Sequence, residues 1–249
     1  MNRRTRAFTL VELLVVVTII GVLAGLLLPA LRGAQDRAKA AVCMSNLRQL
    51  TTATFLYTND NDEYFPPSSW DIYTANCHRW HGVRNNQQEP FDFRHSPLYP
   101  YLKGDKIKAC PIFAEYLKGF EAGCGGYGYN DSYVGSGRGD AQDRSSCPAR
   151  RGMIADATNT ILFADAAILQ GSRVIEYSFV TEPLFEAWGG VQSTPSLHFR
   201  HHGRANVAWC DGHVSSEPLG WSPLAGNAAG GDPIGYVGPW HDNRLYDRK

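Results

Sequence analysis

One acidic residue interrupts an otherwise apolar stretch near the start of the chain. Residues 8–31 are apolar enough to enter a bilayer, yet Glu12 lies four residues after the first of them. A carboxylate at membrane depth costs on the order of a few kcal/mol. The position of Glu12 therefore requires a chemical reason.

A second group of reactive side chains lies towards the other end of the chain. His201, His202, Asp211 and His213 fall within 13 residues, and His198 lies just upstream. Imidazole and carboxylate groups can bind a metal ion or act as an acid–base pair. The spacing alone favours a simpler interpretation, in which Asp211 opens an Asp-Gly hairpin turn and the histidines are ordinary loop residues. We therefore predict no metal ion and no cofactor.

The cysteines all follow the apolar segment, and in an exported domain they are candidates for disulfides. Six cysteines allow fifteen complete pairings, which sequence alone does not resolve. Cys124 and Cys147 bracket a Gly-rich stretch and are candidates for one disulfide across it. The alternative for any of the six cysteines is a buried free thiol. The residues are Cys43, Cys77, Cys110, Cys124, Cys147 and Cys210.

Composition limits the classes of partner. The 249 residues contain 24 Lys and Arg against 24 Asp and Glu, so the chain has no net charge that would attract nucleic acid. Gly, Tyr, Trp and Asn are abundant, which favours a loop-rich β domain over a helical bundle. We expect one domain after the N-terminal segment.

Three interpretations compete for residues 1–31. A secretory signal would end at a small-residue cleavage site, but the apolar run is too long and passes through Pro29 into a helical pattern. A plain membrane anchor fits the required length of about 20 residues, and Arg3, Arg4 and Arg6 would keep the N-terminus in the cytoplasm. Neither interpretation accounts for Glu12, unless its side chain reaches back to the cytoplasmic headgroups, which its position near the end of the segment permits.

The stretch from Ala7 to Glu12, AFTLVE, closely resembles the processing site of type IV prepilins and type II secretion pseudopilins. The resemblance implies that a prepilin peptidase removes residues 1–7 and methylates the new amino terminus at Phe8. The family usually has Gly before the cut, where this chain has Ala7. The resemblance also implies that the subunit assembles through Glu12 and Pro29. The Glu12 carboxylate of one subunit would neutralise the Phe8 amine of a neighbour and set the register of helix packing. Pro29 lies where pilin-like helices usually have a proline.

The spacing of apolar residues predicts the elements behind these groups. A helix should span residues 8–58, with a membrane or filament-core part over 8–31 and an amphipathic part over 32–58. Residues 59–219 should form an exported β-rich domain, with strands at 152–154, 160–164 and 172–177 and a hairpin over 206–215 closed by a two-residue turn. Residues 220–249 should be an irregular tail. The predicted fold class is α+β, a long helix packed on a small antiparallel sheet.

A second resemblance concerns the C-terminal half. His201, nine further residues and then Asp211-Gly212 are similar to the H-x9-D-G signature of a prepilin-associated group, the domain of unknown function 1559 and its relatives. The stretches around Cys43, Cys110 and Asp165 also resemble that group. The resemblance implies an exported pilin-like subunit with a C-terminal β domain and carries no catalytic assignment.

These features predict a structural subunit that is not an enzyme. Its expected partners are the prepilin peptidase, copies of itself or other pilin-like subunits, and inner-membrane lipid before assembly. The N-terminus would be cytoplasmic and the domain periplasmic or, after assembly, on an extracellular filament. The alternative is a membrane-tethered or filament-tip binding module whose tryptophans and tyrosines stack on a ligand such as a glycan.

Overall fold

A computed structural model of the chain describes residues 9–69, 71–72, 74–102, 104, 107–113, 119–135, 148–171, 173–185, 190–224 and 233–246. The chain divides into two compact units, Met1–Ala38 and Lys39–Lys249. The first unit is helical where it is described. The second unit contains the end of the same helix and all of the described strands.

Helix α1 spans Leu10–Asp60 and continues through Pro29 without a break. Every residue from 10 to 32 is exposed, although most of them are large and apolar. Among the described residues, α1 is the one helix long and apolar enough to cross a membrane. An exposed apolar surface of this length needs lipid or other helices around it.

The part of α1 in the second unit is amphipathic, as its spacing predicts. Cys43, Leu47, Leu50 and Thr54 are buried along one stripe, while Arg48 on the opposite side is exposed. Residues three and four apart share a helix face, so this stripe packs on the domain.

The described part of the domain contains one seven-stranded sheet and three two-stranded sheets. Its strands are β1 (His78–Arg79), β2 (Gly82–Val83), β3 (Tyr127–Asn130), β4 (Ile161–Asp165), β5 (Ile168–Gln170), β6 (Arg173–Ile175), β7 (Phe179–Val180), β8 (Leu184–Phe185), β9 (Val191–Gln192), β10 (Leu197–His198), β11 (Arg204–Trp209), β12 (Val214–Trp221) and β13 (Ile234–Val237). The large sheet has the order β10-β13-β12-β11-β4-β3-β7. The β3–β7 pair is parallel and the other strand pairs described are antiparallel. The predicted α+β class is confirmed.

Two hydrophobic clusters form the core. One includes Leu47 and Leu50 of α1 together with Phe163 and Ala208 of the sheet. The other contains Val207 of β11 and the C-terminal Tyr246. Because successive strand residues point to opposite faces, Val207 and Ala208 belong to different clusters.

Three local predictions are wrong. Residues 152–154 do not form a strand, since Arg151–Met153 is a 3-10 turn. The hairpin over β11 and β12 exists, but its last strand pair is Ala208 with Val214, so the connection is longer than the two residues Asp211-Gly212. The segment 220–249 is not entirely irregular, because β13 lies inside the large sheet between β10 and β12. The segment forms β13 because it pairs with β10 and β12, and local sequence patterns do not report such pairing.

Candidate functional site

The beginning of α1 holds Glu12 in a capping box. The backbone N–H of Thr9 donates to the Glu12 carboxylate at 2.9 Å, and the Thr9 hydroxyl donates to the same oxygen at 2.9 Å. In return the backbone N–H of Glu12 donates to Thr9 Oγ1 at 3.3 Å. This reciprocal arrangement satisfies backbone groups that the first helical turn leaves without partners.

The capping box gives Glu12 polar partners within its own chain. A negative charge in the first turn is also favoured by the positive end of the helix dipole. The Thr-x-x-Glu pattern before an apolar run is a recognised helix-start signal, so this role of Glu12 was readable in the sequence, although the predictions above did not include it. Ala7 and Phe8, the predicted cleavage and methylation positions, lie outside the described residues, and the pairing of Glu12 with a neighbouring amine stays a prediction.

His201, the first residue of the H-x9-D-G stretch, lies against a disulfide that joins Cys43 to Cys110. Its Nε2 atom is 3.8 Å from Cys110 Sγ, and the two sulfurs and the imidazole nitrogen all lie within 4.8 Å of one another. Both cysteines are fully buried. Because the two sulfurs are bonded to each other, they are not thiolates that could bind a metal ion. The cysteines form a covalent crosslink, and His201 packs against it.

One carboxylate organises the backbone around His201. Asp165, at the end of β4, accepts from Arg200 at 2.6 Å, contacts His201 Nε2 at 3.1 Å and accepts from the backbone N–H of Asn206 at 2.7 Å. Burial by itself would raise the pKa of Asp165, but the Arg200 charge and these hydrogen bonds outweigh burial and hold that pKa below its usual value. The ionised Asp165 therefore connects the end of β4 to Arg200 and His201, and to strand β11 through Asn206.

Helix α1 reaches the same region through Asn46. This buried side chain donates to the Tyr127 hydroxyl at 3.1 Å and to the carbonyl of Lys108 at 3.3 Å. A buried amide needs such partners, and here they come from β3 and from the segment that ends at Cys110. Asn46 and Asp165 fall in the short stretches that carried the second resemblance, whereas nothing in the pattern singled out Arg200.

The other end of the signature lies away from His201. The backbone N–H of Asp211 donates to the carbonyl of Ala157, and the Asp211 carboxylate contacts the exposed His213 at 2.6 Å. Gly212 has a φ of +102°, and a Cβ built there would lie 2.9 Å from the ring of Phe55 on α1. His201 and Asp211 are separated by the whole of β11, so the structure does not assemble them into one metal-binding or acid–base site.

A second buried polar network was not predicted from the sequence. The Arg79 guanidinium contacts Glu121 at 2.7 Å, the Ser178 hydroxyl donates to Glu121 at 2.6 Å, and His81 Nε2 is 2.7 Å from Ser178 Oγ. Burial, followed by the charges of Arg79 and Arg84, lowers the pKa of His81 to about 3. The single Ser178 proton is directed to the carboxylate, so neutral His81 donates to the serine and does not act as its base.

Of the described tryptophans, Trp240 is the exposed one, at 40%, and the Arg244 guanidinium lies over its ring at 4.9 Å. Trp80 and Trp209 are buried. Trp221 packs between Tyr236, with ring centres 4.7 Å apart, and His241, at 3.9 Å. The glycan-binding alternative therefore gains no support from these side chains.

The remaining cysteines that the structure describes are thiols. Cys77, Cys124 and Cys210 are free and buried. Burial raises the pKa of both Cys124 and Cys210, so these thiols stay protonated. Cys147, suggested above as a partner for Cys124, lies outside the described residues.

Comparison with known proteins adds information about the N-terminal segment. Residues 2–28 match the family model for the prokaryotic N-terminal methylation motif. This match covers Ala7, Phe8 and Glu12. It does not reach the H-x9-D-G stretch, so the resemblance to the domain of unknown function 1559 group stays a prediction.

The chain is also similar to secretion and pilus proteins. It is 41% identical over 64 residues to the type II secretion system core protein G of Dickeya chrysanthemi, which is 26% of this chain and 42% of that protein. It is 41% identical over 63 residues to the type IV major pilin protein PilA of Myxococcus xanthus, 25% of this chain and 29% of the pilin. For core protein G of Klebsiella pneumoniae the identity is 42% over 62 residues, 25% of this chain and 44% of that protein.

The chain thus spans less than half the length of these relatives. No solved structure matches it. The match to the methylation motif shows a pilin-type N-terminal segment.

Proposed function

We propose that this chain is a pilin-like subunit that is processed at its N-terminus and assembles through α1 into a filament of the type II secretion or type IV pilus kind. The observation that carries the proposal is the methylation motif over residues 2–28, in which Glu12 lies in an otherwise apolar part of α1. The relatives named for secretion and pilus assembly support the same function.

The physical basis of assembly is the exposed apolar part of α1. Before assembly, lipid covers these side chains, and in a filament the helices of other subunits replace the lipid. A Cβ added at Gly21 or Gly25 would meet no atom within 4 Å, so this face can accept a closely packed neighbour. Glu12 would leave its own capping box, or share it, to meet the Phe8 amine of the adjacent subunit.

Processing and orientation complete the proposal. A prepilin peptidase cuts between Ala7 and Phe8 and methylates Phe8. The arginines of the leader keep it in the cytoplasm, and the β domain lies on the periplasmic side of the inner membrane. The subunit acts structurally and has no catalytic role.

The experiment compares Glu12→Ala with wild type in cells that contain the peptidase and the assembly machinery. We expect the variant to insert into the membrane and lose filament assembly, because the subunit amine loses its counter-ion. Thr18→Ala is the matched control, since the Thr18 hydroxyl donates to the carbonyl of Val15 within its own helix. A Glu12→Ala variant that polymerises at the wild-type level would refute the proposal.

Mass spectrometry of the mature N-terminus tests processing separately. N-methylated Phe8 is the expected result. An intact leader starting at Met1 would leave a membrane anchor and remove the assembly proposal.

A further inference from the structure

The H-x9-D-G stretch contacts helix α1 at both of its ends. At the first end, His201 packs against the Cys43–Cys110 disulfide. At the second end, Gly212 lies against the Phe55 ring, so closely that a Cβ would come within 2.9 Å of it. Cys43 and Phe55 both belong to the amphipathic part of α1.

The two contacts lie well apart on the helix. Cys43 and Phe55 are twelve residues apart, which is about 18 Å at 1.5 Å per residue. Strand β11, Arg204–Trp209, lies between the two ends of the signature. Ala208, near the end of this strand, lies in the same core cluster as Leu47 and Leu50.

We propose that the stretch from His201 to Gly212 is a docking surface for α1 that sets the register of the helix, and thereby selects Cys43 and Cys110 as the pair that forms a disulfide. His201 and Gly212 are positioning residues in this process. The inference does not depend on filament assembly, because all of its contacts lie inside the Lys39–Lys249 unit.

His201 is held in place on the sheet by its neighbours, so it can define where the helix packs. Asp165 contacts its imidazole at 3.1 Å, and the neighbouring Arg200 is tied to the same carboxylate and to the carbonyl of Gly126 at 2.6 Å. The imidazole therefore has a fixed place on the sheet, to which the Cys43 turn of the helix must fit.

Gly212 defines the second contact, because a residue with a side chain would not fit this close to the Phe55 ring of the helix. The chain carries three further buried thiols among the described residues, so a helix displaced along the sheet could pair Cys43 or Cys110 with a wrong partner. A two-point contact, one near each end of the buried helix stripe, prevents such a displacement better than a single contact.

The test is oxidative refolding of the full chain in detergent micelles, with oxidised glutathione as the oxidant. Formation of the bond removes two protons and two electrons from Cys43 and Cys110, and one oxidised glutathione is reduced to two thiols. Peptide mass mapping of the product reports the pairing. We expect wild type to give Cys43–Cys110 as the main product, and His201→Ala and Gly212→Ala to give mixed pairings as the main product.

Matched controls separate register from general loss of folding. Gly203 has a positive φ of +74° like Gly212, but a Cβ added there would meet no atom within 4 Å, so Gly203→Ala should keep the native pairing. His202, the exposed neighbour of His201, should tolerate Ala as well. Phe55→Ala alone removes the ring that Gly212 contacts and leaves the turn unchanged, so it should give mixed pairings as Gly212→Ala does.

The proposal fails if Gly212→Ala and His201→Ala retain native pairing at the wild-type yield. It also fails if Phe55→Ala keeps the native pairing at the wild-type yield, because the effect of Gly212→Ala would then come from the turn itself and not from the contact with the helix. If Gly203→Ala also gives mixed pairings, the loss of native pairing in Gly212→Ala cannot be assigned to the helix contact, and the proposal fails.

Discussion

At the scale of single residues, two carboxylates and their hydrogen-bond partners allow the sharpest tests of the structure. Glu12 is bonded to Thr9 at the start of α1, and Asp165 is bonded to Arg200 and His201 in the core. Asp165 is buried, so an unpaired charge there is costly, and Glu12 shares reciprocal hydrogen bonds with Thr9; removal of either partner should have a measurable effect.

Thr9 tests the capping box. Thr9→Val keeps the shape of the side chain and removes the hydroxyl that both donates to and accepts from Glu12. Loss of an N-cap of this kind costs about 1 kcal/mol. We expect faster amide hydrogen exchange in the first turn of α1 in detergent micelles, whereas Thr9→Ser should retain slow exchange; equal rates in both variants would contradict the role of the hydroxyl.

Arg200 tests the buried ion pair. Arg200→Met leaves the Asp165 carboxylate buried without its main counter-ion, and breaking such a pair costs about 3–5 kcal/mol of unfolding free energy. Arg244→Met is the control, because Arg244 forms a similar pair with Asp242 in which both side chains are about half exposed, and solvent-exposed pairs contribute little to stability. Urea denaturation should show a much larger loss for Arg200→Met, and equal losses would refute the assignment.

At the scale of elements, α1 serves two environments in one continuous helix. Its residues 10–32 are exposed and mostly apolar, while the stripe that begins at Cys43 is buried in the domain. A disulfide between Cys43 and Cys110 ties this stripe to a loop 67 residues further along the chain. The covalent bond therefore connects the helix to the domain more firmly than packing alone.

Removal of that bond should destabilise the domain. The Cys43→Ser, Cys110→Ser double variant is expected to lose about 2–4 kcal/mol of unfolding free energy, the range typical of a disulfide that closes a long loop. A reducing agent should lower the denaturant midpoint of wild type and leave the double variant unchanged. Cys77→Ser, at a free thiol, serves as the control and should keep the sensitivity to reduction; a wild-type midpoint that is insensitive to a reductant which cleaves the bond would count against the predicted contribution.

At the scale of the whole molecule, the domain contains histidines that stay neutral when folded. Burial, followed by neighbouring arginines, lowers the pKa of His81 and of His198 to about 3. In the unfolded chain a histidine has a pKa of about 6.5. Between these values the unfolded chain binds protons that the folded chain does not, so the free energy of unfolding falls as the pH falls from about 6.5 to about 3.

Denaturant midpoints of the full chain in detergent between pH 7.5 and pH 4.5 check this dependence. Each of the two histidines contributes a slope of up to about 1.4 kcal/mol per pH unit. The Asp165 carboxylate adds to the same trend only below its ordinary pKa of 3.8, outside this range, because its pKa is lowered in the folded chain. His198→Asn should reduce the slope, while Asn at the exposed His202 should not; a flat profile for wild type would contradict the burial of neutral imidazoles.

Much of the helix and of the processing segment could be predicted from the sequence, because the information is local and periodic. Glu12 stands out against the apolar residues around it, and Cys43, Leu47 and Leu50 repeat at the spacing of one helix face. The Asp-Gly turn likewise located the hairpin, although it did not give the length of its connection.

The choice of one cysteine pair among many, the meeting of Asp165 with Arg200 and His201, and the place of β13 in the sheet were decided only by the tertiary structure. Each joins residues that are distant in the chain, and no local propensity distinguishes the right partner from the wrong ones. The sequence by itself determined a helix whose apolar surface must be covered by lipid or other subunits. How the domain holds that helix depends on long-range packing, which no local pattern in the sequence reports.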